Sequence, residues 1–384
     1  MENIVVLGFD GYIGTALTQR LLKQGYNVLG IDSCFRRKIV KSEGSHSALP
    51  ELSFTEKCRR FRELGKGKFY KLEILEEEDV FKKLLIKHNP STIINLAHQP
   101  SGPFSMKDAD HSRFTLTNNI MITDMMLWYM KQNRECHYIT IGSTGCYSHY
   151  ANIDIEEGYF KCTHKGRTSE EMIYPRRPTS IYHASKVAST YLVDYCTRMW
   201  NLYTTDVMQA VVYGTYTPEI DYTKIYSRFD TDECFGTVVN RFIAQTMMKK
   251  PMTIFGEGNH KRGFIALNDS VQALMIAIKN RPICGKARVW NQLSEWKSIN
   301  DIANTVCNIG ESKLGLELPK PEYIPSPRQE ITTDHYYHYV TDILPSLGYI
   351  PTRTMEQEIE YTMTLLKDID LSDLEKNIIP KIQF

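Results

Sequence analysis

Residues 4–14 read "IVVLGFDGYIG", a short apolar run rich in β-branched residues that leads straight into a glycine-rich turn. The next residues, "TALTQRLLKQG" (15–25), place their apolar side chains at helical spacing and end on a glycine suited to a helix C-cap. A turn between a buried strand and a helix presents the backbone N–H groups of the helix N-terminus, which bind anions such as a pyrophosphate. The sequence therefore predicts a βα unit whose turn binds a dinucleotide.

The residues around this turn also indicate which dinucleotide binds. The glycines follow the spacing G-x-x-G-x-x-G, at Gly8, Gly11 and Gly14. A second apolar strand, "NVLGID" (27–32), closes with Asp32, whose carboxylate would bind a ribose diol and repel a 2′-phosphate, so we expect NAD rather than NADP. The following "RRK" (36–38) leaves two alternatives: Arg36 or Arg37 grips the adenosine ribose or a phosphate, or these residues form a solvated basic turn.

Later segments repeat the alternation of strand and helix. The further strands are predicted at "KFYKLEI" (68–74), "STIINLA" (91–97), "HYITIGS" (137–143) and "DVMQAVVYG" (206–214). This order predicts an α/β fold with a Rossmann-type doubly wound parallel sheet. After residue 214, short strands and proline turns indicate a smaller C-terminal α/β substrate lobe. We expect an NAD-binding Rossmann domain at 1–213, rejoined by segments near 264–283, and a lobe at 214–384 that binds the second ligand.

Composition excludes several classes of function. Lysine and arginine number 46 and aspartate and glutamate 45, so no strong overall field attracts nucleic acid or an anionic membrane. We find no signal peptide and no apolar stretch of membrane-spanning length, which predicts a cytoplasmic protein. The nine cysteines lack CxxC pairs and are expected to be reduced thiols, and no metal site is predicted at "HYYH" (335–338).

A tyrosine and a lysine four residues apart, Tyr182 and Lys186, stand in "TSIYHASK" (179–186) and would share one face of a helix. An ammonium beside a phenol favours the phenolate, which can take a proton from an alcohol while a cofactor accepts the hydride. Ser143 ends the fifth predicted strand, at the carboxyl edge of the sheet where ligands bind. Together these three residues form the Ser–Tyr–Lys triad typical of short-chain dehydrogenases.

A more specific resemblance runs along the whole chain. Its stretches are "NIDIEEGY" (152–159), "THKGRT" (163–168), "YHASKV" (182–187), "VVYG" (211–214), "FGTVVNRF" (235–242), "TIFGEGNHKRGFIALNDSVQ" (253–272), "PSPRQE" (325–330) and "HYY" (335–337). In collinear order these resemble the UDP-sulfoquinovose synthases, extended members of the short-chain dehydrogenase family. The resemblance implies that bound NAD oxidises C4 of UDP-glucose, that the 6-hydroxyl is eliminated, that sulfite adds and that the hydride returns. It also implies a homodimer.

The resemblance assigns roles to individual residues. Ser143 would take the hydroxyl position, Tyr182 would be the base and Lys186 would hold the nicotinamide ribose; His183 would line the sugar pocket, unless it is a structural histidine. The implied cofactor-binding residues are Gly8, Gly11, Tyr12, Ile13, Gly14, Asp32, Arg36, Ala97, Tyr182, Lys186 and Val212. The implied substrate-binding residues are Ser143, Gln209, Asn240, Arg262 and Arg328.

Two departures from the family pattern leave the reaction open. Cys146 stands where the family has an acidic residue, and is either an acid or base in catalysis or a buried filler. Pro100 replaces an arginine of the sugar pocket, and Thr144 and Gly145 stand where 4,6-dehydratases carry an acidic pair. The alternatives are therefore a nucleotide-sugar 4-epimerase or dehydratase acting on a related sugar, or a catalytically silent NAD-binding sensor or scaffold.

Overall fold

A computed structural model describes residues 2–147, 154–326, 338–379 and 381–382. The strands are β1 (Asn3–Leu7), β2 (Asn27–Asp32), β3 (Gly67–Lys71), β4 (Thr92–Asn95), β5 (His137–Ile141), β6 (Tyr159–Phe160), β7 (Thr163–His164), β8 (Arg167–Thr168), β9 (Met172–Ile173), β10 (Tyr203–Gln209), β11 (Val211–Tyr213), β12 (Thr253–Phe255), β13 (Lys261–Ala266), β14 (Arg288–Gln292), β15 (Glu295–Ser298) and β16 (Glu322–Ile324). The α-helices are α1 (Tyr12–Lys23), α2 (Phe35–Ser42), α3 (Phe54–Leu64), α4 (Glu78–His88), α5 (Gly102–Ser105), α6 (Ala109–Leu116), α7 (Ile122–Gln132), α8 (Ile181–Trp200), α9 (Pro218–Thr223), α10 (Val238–Met247), α11 (Leu267–Lys279), α12 (Ile299–Leu314), α13 (Ile343–Ser346) and α14 (Met355–Leu366).

The centre of the fold is a parallel sheet of seven strands in the order β14-β10-β5-β4-β1-β2-β3. Strand order reverses between β1 and β4, which opens a crevice at the carboxyl ends of these strands. Alternate residues of β1 enter two different cores: Ile4 and Val6 pack with α1 and α11, whereas Val5 and Leu7 pack with α4 and α7. Helices therefore cover both faces, and the predicted doubly wound Rossmann-type sheet is confirmed.

One predicted strand is in fact two. The run 206–214 was expected to continue as a single strand, but β10 ends at Gln209 and the chain leaves the central sheet. β11 pairs instead with β13 in a separate three-stranded sheet that also includes β15. The physical reason is burial: Tyr213 is fully buried in the core of the C-terminal part, away from the central sheet.

The C-terminal part has a core of its own. Helices α10, α12 and α14 pack together around apolar side chains such as Phe242, Ile302 and Ile359. Not all of the chain after residue 214 belongs to this core, because α11 packs against α1 and β14 pairs with β10 of the central sheet. The crevice of the sheet therefore faces a second body of structure that the same chain supplies.

The segment between β2 and β3 covers the edge of the dinucleotide-binding half. Its helix α3 begins after Ser53, whose hydroxyl accepts the N–H of Glu56, and packs against α1. Phe61 is buried there, while Arg59 pairs on the surface with acidic neighbours. Helix α3 also carries a buried lysine, Lys57, toward the glycine turn. None of the helices in the described part of the chain combines the length and apolar character that crossing a membrane requires.

Candidate active site

A cavity of about 730 Å³ lies at the carboxyl edge of the central sheet. One wall consists of the glycine turn, Asp32 and the ends of β4 and β5; the first turns of α8 add Tyr182 and Lys186. Another part of the lining, the C-terminal wall, comes from the C-terminal part of the chain and includes Arg241, Phe255 and Arg262. The cavity therefore joins the predicted dinucleotide site to the face that would hold a second ligand.

The glycine turn leaves no room for side chains where it meets the rest of the fold. Gly8 adopts a left-handed conformation, with φ of 82°, and a Cβ there would lie 2.5 Å from the Leu96 carbonyl oxygen. A Cβ on Gly14 would lie 2.0 Å from the carbonyl oxygen of Gly8. Gly11 caps α1 without a side-chain hydrogen bond, so the first N–H groups of α1 are open to a ligand. This cradle fits a pyrophosphate.

Asp32 stands at the end of β2, on the cavity wall. Its carboxylate accepts the N–H of Asp10 at 2.9 Å and the N–H of Cys34 at 2.7 Å. Burial and the nearby Asp10 carboxylate raise the pKa of Asp32 to about 6. The oxygens of Asp10 and Asp32 and the Cys34 sulfur lie within 4.8 Å of one another, but Asp10 is already neutralised by Lys57 Nζ at 2.7 Å and by Arg37. This cluster is thus an ion-paired support for the ribose-binding position.

The two arginines that follow β2 do not form a solvated turn. Arg36 Nε lies 2.6 Å from Asp230, and the guanidinium stacks over the Phe235 ring. Arg37 pairs with Asp10 and Glu51. Their side chains are only 22% and 19% exposed, so the alternative of a solvated basic turn is wrong. Arg36 lines the cavity, and its contact with NAD stays a prediction.

The three residues of the predicted triad lie around one end of the cavity. Ser180 caps α8 by accepting the N–H of His183, which places Tyr182 and Lys186 in the first two turns of the helix. Lys186 is 4% exposed, and its Nζ lies 5.7 Å from the centre of the Tyr182 ring. Burial lowers the pKa of Lys186 to about 8. Burial raises the pKa of Tyr182, and a hydrogen bond with Ser143 opposes that rise.

Cys146 does not share this cavity. Its side chain is fully buried, donates a hydrogen bond to the His183 carbonyl oxygen at 3.5 Å, and does not line the cavity that the described residues form. Burial raises the pKa of the thiol to about 12, so the thiolate is disfavoured. Burial of the thiol therefore favours the alternative of a buried filler, and a catalytic role for Cys146 stays a prediction.

His183 does line the cavity, beside Tyr182. Its ring centre lies 5.0 Å from that of Tyr182, and its Nδ1 is held by the hydroxyls of Thr179 and Ser180 at 3.0 and 3.1 Å. A Cβ on Gly145 would come within 2.3 Å of His183 Nε2, so a glycine at that position makes room for the ring. His183 is thus both anchored and exposed to a ligand.

The residues predicted to bind substrate do not all line the cavity. Arg262 and Gln209 line the cavity, although Gln209 also donates to Ser270 and Gln292. Asn240 donates to the Asp230 carbonyl oxygen and does not line the cavity of the described structure, so its contact with substrate stays a prediction. Its neighbour Arg241 faces the cavity instead, because successive residues of a helix point in different directions. Arg328 lies outside the described residues.

All the residues predicted to contact NAD line the cavity. They are Gly8, Gly11, Tyr12, Ile13, Gly14, Asp32, Arg36, Ala97, Tyr182, Lys186 and Val212. Arg241 and His98 also line the cavity and were not predicted from the sequence. The sequence signal for His98 was its place just after a buried strand, at the same edge of the sheet as Ser143.

Comparisons with known proteins agree with this site. Residues 4–291 match the model of the NAD dependent epimerase/dehydratase family. The UDP-sulfoquinovose synthase of Sulfolobus acidocaldarius is 35% identical over 369 residues, which span 96% of this chain and 92% of the relative. The chloroplastic UDP-sulfoquinovose synthase of Spinacia oleracea is 35% identical over 354 residues, which span 91% of this chain and 72% of the relative.

Solved structures show the same fold. A Bacillus cereus UDP-glucuronic acid 4-epimerase in complex with NAD has a TM-score of 0.69 at 22% identity, covering 95% of this chain and 98% of the other. A Thermotoga maritima UDP-glucose 4-epimerase has a TM-score of 0.68 at 19% identity with the same coverage. From the cavity, the matched residues 4–291 and the similarity along the chain, it follows that this protein is an enzyme of the NAD dependent epimerase/dehydratase family, which confirms the predicted class and cofactor.

Proposed function

We propose that this enzyme is of the UDP-sulfoquinovose synthase type and converts UDP-glucose and sulfite to the 6-sulfonated nucleotide sugar. The observation that carries the proposal is that Ser143, Tyr182 and Lys186 open onto the same cavity as the glycine turn. Similarity to two UDP-sulfoquinovose synthases along nearly the whole chain supports the choice of substrate.

In this proposal the chain's own residues manage protons and orientation. When NAD is bound on the glycine turn, it would supply the hydride acceptor for oxidation at C4 and the hydride for the later reduction. Tyr182, assisted by Lys186 and hydrogen-bonded to Ser143, takes the proton of the C4 hydroxyl and returns it at the end of the cycle. The C4 ketone acidifies the C5 hydrogen, which allows the C6 hydroxyl to leave.

The proton transfers at C5 and C6 need a titratable group other than Cys146. His183 lines the cavity next to Tyr182, and the hydroxyls of Thr179 and Ser180 fix its ring. Imidazole is the side chain that most often transfers protons in general acid–base catalysis. We assign these transfers to His183.

The nucleotide would lie against the C-terminal wall. Arg262 and Arg241 line that part of the cavity, and a diphosphate needs cations of this kind. Phe255 supplies an apolar ring nearby. Arg328 remains a predicted contact outside the described residues. These residues support a UDP-linked hexose as the substrate.

We further propose a cytoplasmic homodimer formed through α7 and α8. These helices pack side by side and carry large apolar side chains that are about half exposed. They are Trp128, Tyr191, Tyr195 and Met199, at 49%, 48%, 54% and 56%. A patch of this kind on neighbouring helices suits a second copy of the chain. The nine free thiols suit a reducing compartment.

A 4-epimerase is the second candidate, because Cys146 is buried and Thr144 and Gly145 offer no carboxylate for elimination. Mass spectrometry after incubation with NAD and UDP-glucose, with and without sulfite, separates the two. A sulfite-dependent product with the mass of the sulfonated sugar is expected; UDP-galactose, of unchanged mass and altered retention, would instead establish epimerisation. Tyr182→Phe is the control and should yield neither product, whereas turnover by this variant would contradict the mechanism.

A further inference from the structure

A buried histidine touches the lysine of the triad. His98 follows β4 at the carboxyl edge of the sheet and is 7% exposed. Lys186 Nζ lies 2.7 Å from His98 Nδ1 and 2.7 Å from the carbonyl oxygen of Ile141. An ammonium has three N–H groups, so these two acceptors leave one N–H for the cavity that Lys186 lines.

The surroundings of His98 determine which of its nitrogens carries the proton. Nε2 lies 3.1 Å from both the Thr123 hydroxyl and the Asn95 amide. Because Nδ1 faces an ammonium, we assign the ring proton to Nε2, where the Thr123 hydroxyl oxygen accepts it. The Thr123 hydroxyl in turn donates to the carbonyl oxygen of Asn119 at 2.8 Å. Burial and the charge of Lys186 hold the pKa of His98 well below its usual value, so the ring stays a neutral acceptor.

We propose that His98 is a positioning residue that anchors the Lys186 ammonium through Nδ1 and aims its remaining N–H at Tyr182 and the nicotinamide ribose. The assignment rests on the proposed role of Tyr182 as base. Because Nζ is held by two acceptors, the ammonium is restrained from swinging away from the phenol. The hydrogen bond also stabilises the charged form of a lysine that has lost its water.

Other groups near Lys186 do not replace this contact. Asp206 on β10 favours the ammonium from a distance, and the Cys146 thiol lies on the short turn after β5. Tyr182 shares α8 with Lys186, and Tyr138, beyond His98, hydrogen-bonds with Asn95, Thr140 and Thr123. Among the described residues packed around Lys186, His98 supplies a direct side-chain acceptor at hydrogen-bond distance.

The alternative is a purely structural role, in which His98 is a core histidine whose only function is to hydrogen-bond through Nε2 with Thr123 and Asn95. Two substitutions distinguish the roles because they preserve different nitrogens. In His98→Asn the amide oxygen can occupy the place of Nδ1, whereas in His98→Gln the amide reaches the place of Nε2. A positioning role predicts that asparagine rescues and glutamine does not; a core role predicts the reverse.

The experiment measures two quantities on the full-length protein. One is the pH profile of NAD-linked turnover. The other is the ultraviolet titration of Tyr182, taken as the difference between each protein and its Tyr182→Phe counterpart with NAD bound. For His98→Gln we expect the midpoint of the Tyr182 titration and the acidic limb of turnover to rise by about one pH unit, since hydrogen bonds to charged groups are worth roughly that much. For His98→Asn both should stay near wild type.

Equal shifts in both variants, or a shift in His98→Asn alone, would overturn the proposal. The ultraviolet titration needs no turnover, so it still tests His98 if the wild-type protein fails to convert UDP-glucose. Such a failure would count against the proposed function and not against the contact between His98 and Lys186. Thermal melting of each variant shows whether a change in folding accompanies the shift.

Discussion

Replacing Lys57 by methionine is expected to weaken both the fold and the dinucleotide site. Lys57 Nζ reaches 2.7 Å from the Asp10 carboxylate in the glycine turn, and the two side chains are 1% and 3% exposed. Methionine keeps the apolar length of the side chain and removes the charge. Loss of one partner from a buried ion pair costs roughly 3–5 kcal/mol. Because Arg37 still pairs with Asp10, we expect the lower end, about 3 kcal/mol.

The assay is urea unfolding at pH 7, with Lys38→Met as the matched control. Lys38 pairs with Glu73 at 2.8 Å, but these side chains are 54% and 42% exposed, so its loss should cost at most about 1 kcal/mol. Calorimetric titration with NAD gives the second readout. Because the Asp10 N–H donates to Asp32, a looser turn should weaken NAD binding in Lys57→Met and leave it unchanged in Lys38→Met.

The stability lost in Lys57→Met should depend on pH in a definite direction. Burial alone would raise the pKa of Asp10, but the hydrogen bonds and charges of Arg37 and Lys57 hold it below its usual value. A carboxyl with a lowered pKa in the folded state stabilises the fold above its unfolded pKa and loses that contribution as the pH falls. The gap between wild type and Lys57→Met should therefore shrink below about pH 4. Equal losses in the two lysine variants at pH 7, or a gap that widens in acid, would refute the reasoning.

Three further outcomes are expected. Cys146→Ala should lower thermal stability modestly, by about 1 kcal/mol for a small buried group, while turnover stays within about threefold of wild type; a large loss of turnover would restore the thiol to catalysis. Gly14→Ala should abolish NAD binding measured by calorimetry, because its Cβ would meet the Gly8 carbonyl oxygen at 2.0 Å, and an unchanged affinity would contradict the cradle. Turnover should decline above about pH 8, where Lys186 loses its proton, and a profile flat to pH 10 would show that the ammonium is not required.

Sequence patterns were sufficient for features that depend on neighbours in the chain. The run "IVVLGFDGYIG" (4–14) predicted the first strand, the turn and the start of α1, because alternation, glycine spacing and helical periodicity reflect local backbone geometry. The same holds for Tyr182 and Lys186, which a single helix places on one face. Ser143 follows a strand of the same parallel sheet, and it lies at the carboxyl edge beside Tyr182 and Lys186 because the carboxyl ends of parallel strands meet at one edge.

Other features depended on contacts between distant parts of the chain. Cys146 looked suited to chemistry by its alignment with an acid, but packing seals it away from the cavity. Asn240 and Arg241 differ by one position, and the orientation of α10 decided which of them faces the ligand.

By itself, the sequence determined the Rossmann-type sheet, the dinucleotide turn and the membership of the triad. The tertiary structure alone decided that Lys57 supports the glycine turn from 47 residues away and that His98 holds Lys186 from 88 residues away. The physical reason is that periodicity and turn chemistry act along the chain, whereas burial and the pairing of charges depend on which distant surfaces pack against each other.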